Sequence, residues 1–213
     1  ASDCASLFFL TNPNAPTSMR FEKADVEAFC ASFKGVVLVD EAYVDFADVD
    51  CMDLALKYEN VLTMRTLSKS FSLAALRVGY VVGPATLIDA LMKVKDSYNL
   101  DGVAQQVALA ALNDIEYMRA NADRIIASRV RLSADLQDLG FTVCTSQTNF
   151  LWVSPPEGVS AQDLFEKLRE HGILTRYFPG PKTGQHIRIT IGNENEVAAL
   201  LAVVCNMVKG DIV

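Results

Sequence analysis

Residues 36–40 read VVLVD, with no polar side chain until the closing acid. SLFFL (6–10), VLTMR (61–65) and GYVVG (79–83) are similar short, largely apolar runs. A strand that is apolar at consecutive positions has no face to offer water, so both faces must be covered. Helical patterns stand between these runs: FEKADVEAFCASF (21–33) and PATLIDALMKVK (84–95), the latter opening on Pro. Buried strands separated by helices predict an α/β fold with a mostly parallel sheet.

The pattern changes after residue 100. From 101 to 138 it is helical almost without pause, and IEYMRANADRIIASRVRLSADLQDL reads as one long helix ended by Gly140. Then come strands at FTVC, NFLWV (149–153), ILTR (173–176) and HIRITIG (186–192), with helices at 161–172 and 194–209. This predicts a smaller α+β layer. The expected division is a large domain over 1–119, present only in part, and a small C-terminal domain over 120–213.

Composition narrows the function classes. Half of the 213 residues are apolar and the mean hydropathy is +0.21, ample for a core. The formal charge of −7 argues against nucleic acid and anionic membranes, both of which need a basic field. No apolar run approaches the roughly 18 residues of a membrane-spanning helix. SLFFL is too short for a signal-peptide core and lacks a basic flank. Cys4, Cys30, Cys51, Cys144 and Cys205 are odd in number and form no CxxC, which reads as reduced thiols of a cytoplasmic protein. With two histidines far apart, His171 and His186, no zinc site is expected.

The chemistry concentrates where strands end. NPNAPTS, DEAY and TLSKSF each follow a predicted strand, and open α/β sheets bind ligands outside the C-terminal strand ends. Lys69 could be an ordinary solvated lysine. It could instead attack a carbonyl, which requires a partly desolvated amine with a lowered pKa, and Arg77 would help to lower it. Thr66, Ser68 and Arg77 would make a cradle for a phosphate dianion. A carbonyl-bonding lysine beside a phosphate cradle describes a pyridoxal 5'-phosphate site. Asp40 is either a sheet-edge acid or the carboxylate that keeps a pyridine nitrogen protonated. Tyr43 could donate to the ring's phenolic oxygen. NPNAPTS is either a turn or a rigid loop presenting an Asn amide. Arg188 in HIRITIG needs an anionic partner, from the protein or from a substrate carboxylate, and Arg176 has the same two readings.

NPNAPT, VLVDEAY, RTLSKSFSLAALRVGY and IRITIG, in that order, resemble the aspartate-aminotransferase-like fold-type I enzymes, nearest the histidinol-phosphate aminotransferase branch. The resemblance runs over nearly the whole chain, and the ordered set is far more specific than any one piece. It implies that Lys69 bonds the cofactor aldehyde and moves the substrate proton. It implies that Asp40 pairs with the pyridine nitrogen and Tyr43 with the phenolic oxygen, while Thr66, Ser68 and Arg77 hold the phosphate. Arg188 would bind the substrate carboxylate or its equivalent, and Arg176 would lie near a substrate phosphate. The implied reaction moves an amino group from a small amine to the 2-oxo acid 2-oxoglutarate, in a homodimer. A threonine-phosphate decarboxylase or an aromatic amino-acid aminotransferase would share the motifs.

The chain departs from the family pattern at three places. Ala15 stands where an Asn contacts the ring, leaving Asn14 or Asn12 for that role, and Ser18 stands where Gly is usual. The family's N-terminal strands, phosphate loop and ring-stacking aromatic have no counterpart. The expectation is a fragment of a larger enzyme, or a truncated homologue that pairs tightly with another chain. An inactive fragment or pseudoenzyme is the remaining alternative.

Overall fold

The computed structural model describes residues 5–209; Cys4 lies outside them. The chain divides into two compact units: residues 5–14 with Arg20–Ala122, and Ala15–Met19 with residues 123–209. The division falls inside a long helix.

In the first unit, β1 (Leu7–Thr11), β2 (Val36–Asp40) and β3 (Val61–Thr66) run parallel, and β4 (Gly79–Val82) lies antiparallel beside β3. The connections explain the directions. Helix α1 (Lys23–Ser32) carries the chain back between β1 and β2, and a 3-10 turn (Val44–Phe46) with α2 (Leu54–Lys57) does so between β2 and β3. Between β3 and β4, residues 67–78 form only a 3-10 turn (Ala74–Leu76) and no α-helix that would carry the chain back along the sheet, and the two strands run antiparallel. Val37 and Val39 of β2 are fully buried against Val26 and Cys30 of α1 and Leu54 of α2. The Asn60 side-chain amide ties strand to helix by donating to the carbonyls of Cys30, Phe33 and Gly35 at 3.0–3.1 Å. A second small core joins Leu67 and Val78 to Ala104 and Ala108 of α4 (Gly102–Asn113), after α3 (Ala85–Val94).

The second unit contains most of α5 (Ile115–Asp138) and an antiparallel sheet in the order β5 (Thr142–Val143), β6 (Phe150–Ser154), β8 (Ile187–Thr190), β7 (Arg176–Tyr177). Helices α6 (Ala161–Glu170) and α7 (Glu194–Lys209) cover it. Its core runs unbroken from Leu132 and Leu136 through Leu164, Leu168, Ile187 and Ile189 to Val204.

Two predicted strands come out shorter than expected, for one shared reason. Helix α5 ends in a paired-bond cap: Gly140 at φ +85° donates to Gln137, and Phe141 donates to Leu136. Helix α6 ends the same way, with Gly172 at φ +75° donating to Arg169 and Ile173 to Leu168. Phe141 and Ile173 are thereby taken up in finishing helices. The pairing in FTVC is left to Thr142–Val143, and in ILTR it reaches only Arg176.

Candidate functional site

Three parallel strands end side by side, and each hands the chain to a polar segment. Asn12 N donates to the Asp40 carbonyl (2.9 Å), and Glu41 N donates to the Met64 carbonyl (2.9 Å). This lateral pairing fixes Asp40 and Thr66 on neighbouring strands at the same end of the sheet. Asp40 Oδ1 accepts from Ala42 N at 3.0 Å. Next to it, buried Glu41 accepts from Cys51 N and from Arg65 Nε (2.8 Å), clamping the ends of β2 and β3. Burial pushes the Glu41 carboxyl above its usual range, while the Cys51 amide and Arg65 pull the other way.

The lysine loop is built from its own backbone. Leu67 N bonds Val78 O (3.0 Å), Leu73 N bonds Leu67 O (3.1 Å) and Ser72 N bonds Lys69 O (3.1 Å). Thr66 Oγ1 stands 2.9 Å from Ser68 Oγ, accepts from Ser68 N (3.1 Å) and reaches Val78 O at 3.2 Å. Lys69 Nζ lies 5.3 Å from the centroid of the buried Tyr43 ring, within cation–π range. Arg77 ends the 3-10 turn Ala74–Leu76 with its backbone at φ +55°, and its Nη1 donates to the Ala74 carbonyl (2.8 Å). The register sets Gly79, two residues on, directly opposite Thr66. A Cβ at Gly79 would meet the Arg65 carbonyl at 2.9 Å, so only glycine lets the strands close here.

Asp40, Tyr43, Thr66, Ser68, Lys69 and Arg77 thus gather at one end of the first unit's sheet. Asn12 is withdrawn from them. Its Oδ1 accepts from Phe21 N (2.7 Å) and its Nδ2 faces Cys51 Sγ at 3.8 Å. Of the two asparagines considered for the ring contact, that leaves half-buried Asn14. Ser18 has φ +64° and is fully buried, and its Oγ has no hydrogen-bond partner; left-handed backbone explains why glycine suits this position.

Arg176 and Arg188 belong to the second unit and sit directly opposite each other on β7 and β8. Like charges face to face destabilise a sheet unless an anion lies between or beside them. Arg188 stacks over Phe150 (4.9 Å) and, with Arg176 (5.4 Å), against Phe178 (5.8 Å). The Arg188 Nε is buried without a hydrogen-bond partner. Among the described residues no carboxylate pairs with Arg176, Arg188, Arg77 or Lys69. Within the second unit, two facing guanidinium groups without a carboxylate partner suit an anionic ligand.

Sequence reading missed Asp45, whose carboxylate takes the Ser70 hydroxyl hydrogen bond. The signal was an acid two residues beyond the tyrosine in DEAYVD. Cys30 and Cys51 are buried free thiols, and burial pushes both up to about 11, so they stay protonated and inert. Among the described residues, no helix is long and apolar enough to cross a membrane, and no group of acids, histidines and cysteines is placed to hold a metal ion.

Residues 2–204 match the family model for aminotransferase class I and II. The histidinol-phosphate aminotransferase of Microcystis aeruginosa is 43% identical over 200 residues, which cover 94% of this chain and 57% of that protein. Histidinol-phosphate aminotransferase 1 of Trichormus variabilis is 45% identical over 88% of this chain and 53% of its own length. The crystal structure of histidinol-phosphate aminotransferase from Sinorhizobium meliloti, in complex with pyridoxal-5'-phosphate, superposes with a TM-score of 0.89 at 26% identity. It covers 98% of this chain and 59% of the other. The chain therefore spans between half and three fifths of the length of these relatives.

Proposed function

Because this chain belongs to the class I and II aminotransferase family, we propose that it carries the cofactor-bonding lysine and the substrate arginines of a pyridoxal-phosphate-dependent transaminase. Its named relatives favour histidinol phosphate as the amine, and 2-oxoglutarate is proposed as the acceptor on the sequence resemblance. The observation that carries the reading is Lys69 Nζ poised over Tyr43 beside the Thr66–Ser68 hydroxyl pair, at the C-terminal ends of parallel strands.

The residues fit the cofactor. Thr66, Ser68 and Arg77 supply short donors and a planar cation for its phosphate. Asp40 supplies a carboxylate for the protonated pyridine nitrogen, and Tyr43, with Asn14, supplies donors for the ring oxygen. When bound, pyridoxal phosphate supplies an electron sink for charge at the substrate α-carbon. Lys69 would hold the cofactor through its aldehyde, and its amine Nζ would serve as the base that moves the substrate α-proton. Arg188 and Arg176 would bind anionic groups of the amine and of the 2-oxo acid.

The protein is further proposed to act in the cytoplasm as a homodimer. The free thiols support the first, and exposed apolar side chains such as Phe9, Val94 and Tyr98 support the second.

Borohydride reduction with pyridoxal phosphate, followed by peptide mass spectrometry, tests the reading. A single adduct on Lys69, absent from Lys69→Ala, is expected. Adducts scattered over surface lysines would overturn it.

A further inference from the structure

Ser70 follows the lysine, and its hydroxyl donates to Asp45 Oδ2. The bond bridges 25 residues of chain and joins the loop after β3 to the 3-10 turn after β2. Ser70 is buried, at 5% exposure, and Asp45 is half-buried, so water competes little for either. A hydroxyl bonded to a carboxylate is a charge-assisted contact, stronger than its neutral counterparts.

Its position matters more than its strength. Ser70 is one residue from Lys69, and Asp45 is two from Tyr43, the pair that stand 5.3 Å apart. The loop also has a reason to move. Ser72 is held at φ +58° and Arg77 at φ +55°, left-handed conformations that a non-glycine residue leaves when its surroundings permit. The turn is anchored at its own end, with Val44 N bonded to Glu41 O (3.1 Å) and Phe46 N to Tyr43 O (3.1 Å). Asp45 is therefore a fixed point against which the loop can be held.

We infer that Asp45 and Ser70 are positioning residues that hold the Lys69 loop against the Tyr43 turn and so set where the lysine meets its cofactor. The inference rests on Lys69 being the cofactor-bonding lysine.

Cofactor affinity and the rate of borohydride trapping on Lys69 test it in the purified protein, at temperatures where circular dichroism shows every variant folded. Ser70→Ala and Asp45→Ala are each expected to weaken affinity and slow trapping about tenfold. The double variant should also lose about tenfold, because the single variants already remove the whole interaction. Asp45→Asn keeps an acceptor oxygen and should stay within about threefold of the unsubstituted protein. Unchanged affinity and trapping in Ser70→Ala would overturn the inference, as would losses that multiply to about a hundredfold in the double variant. A loss in Asp45→Asn as large as in Asp45→Ala would also overturn it, by assigning the effect to charge. Failure of the unsubstituted protein to form any Lys69 adduct is a different result: it overturns the cofactor reading, and this inference with it.

Discussion

At the scale of single residues, Ser18 shows where the chain carries a cost. It lies at φ +64° with a buried hydroxyl that bonds nothing. Left-handed backbone disfavours any side chain with a Cβ, and a buried unpaired hydroxyl adds a desolvation cost. Glycine removes both, offset in part by the greater freedom it gives the unfolded chain. Ser18→Gly is expected to raise unfolding stability by about 1 kcal/mol, read from urea denaturation. A destabilised variant would show that the hydroxyl has a role these contacts do not reveal. The sequence identified the departure from Gly but could not show its consequence, because backbone dihedrals are not written in residue order. That Asp40, Tyr43, Thr66, Lys69 and Arg77 would come to one end of the sheet was legible for the opposite reason. Their chemistry depends on residue type and on nearness to a strand end, and both are local.

At the scale of elements, the longest patterns were the most readable. VVLVD and VLTMR became parallel neighbours, and α5 runs unbroken to its glycine cap. The shortened strands after Gly140 and Gly172 were not readable, because a capping residue and a strand residue are both apolar. Nor could sequence show that Arg176 faces Arg188, since register between strands distant in sequence is a tertiary outcome. That pairing is the ground for proposing β7 and β8 as an anion-binding element. Trp152, the chain's only tryptophan, is also paired with Arg188 and stacks on His186 at 5.0 Å, so its fluorescence reports on this sheet. Inorganic phosphate should change that fluorescence saturably. Arg188→Gln should weaken phosphate binding at least tenfold, the worth of one charge-assisted contact. A response that Arg188→Gln leaves intact would place the anion elsewhere.

At the scale of the whole molecule, the question is what the first unit's sheet does with its open edge. Among the described residues β1 pairs only with β2, so its outer side presents unpaired backbone donors and acceptors. The strand's two faces differ. Phe8 turns onto Phe29 of α1 with ring centroids 4.8 Å apart, while Phe9 points the other way and is 64% exposed. An unpaired edge beside an exposed aromatic invites another strand or another copy of the chain. The formal charge of −7 works against self-association by mutual repulsion, and salt screens that repulsion. Association should therefore strengthen as salt rises, the reverse of a contact held by ion pairs. Sedimentation equilibrium should give masses above 23.3 kDa that grow with protein concentration and with salt. Phe9→Lys puts a charge on the edge, a device proteins use to keep strands apart, and should return the mass toward that of one chain. If Phe9→Lys associates as strongly as the unsubstituted protein, or if salt weakens association, the contact lies on another surface.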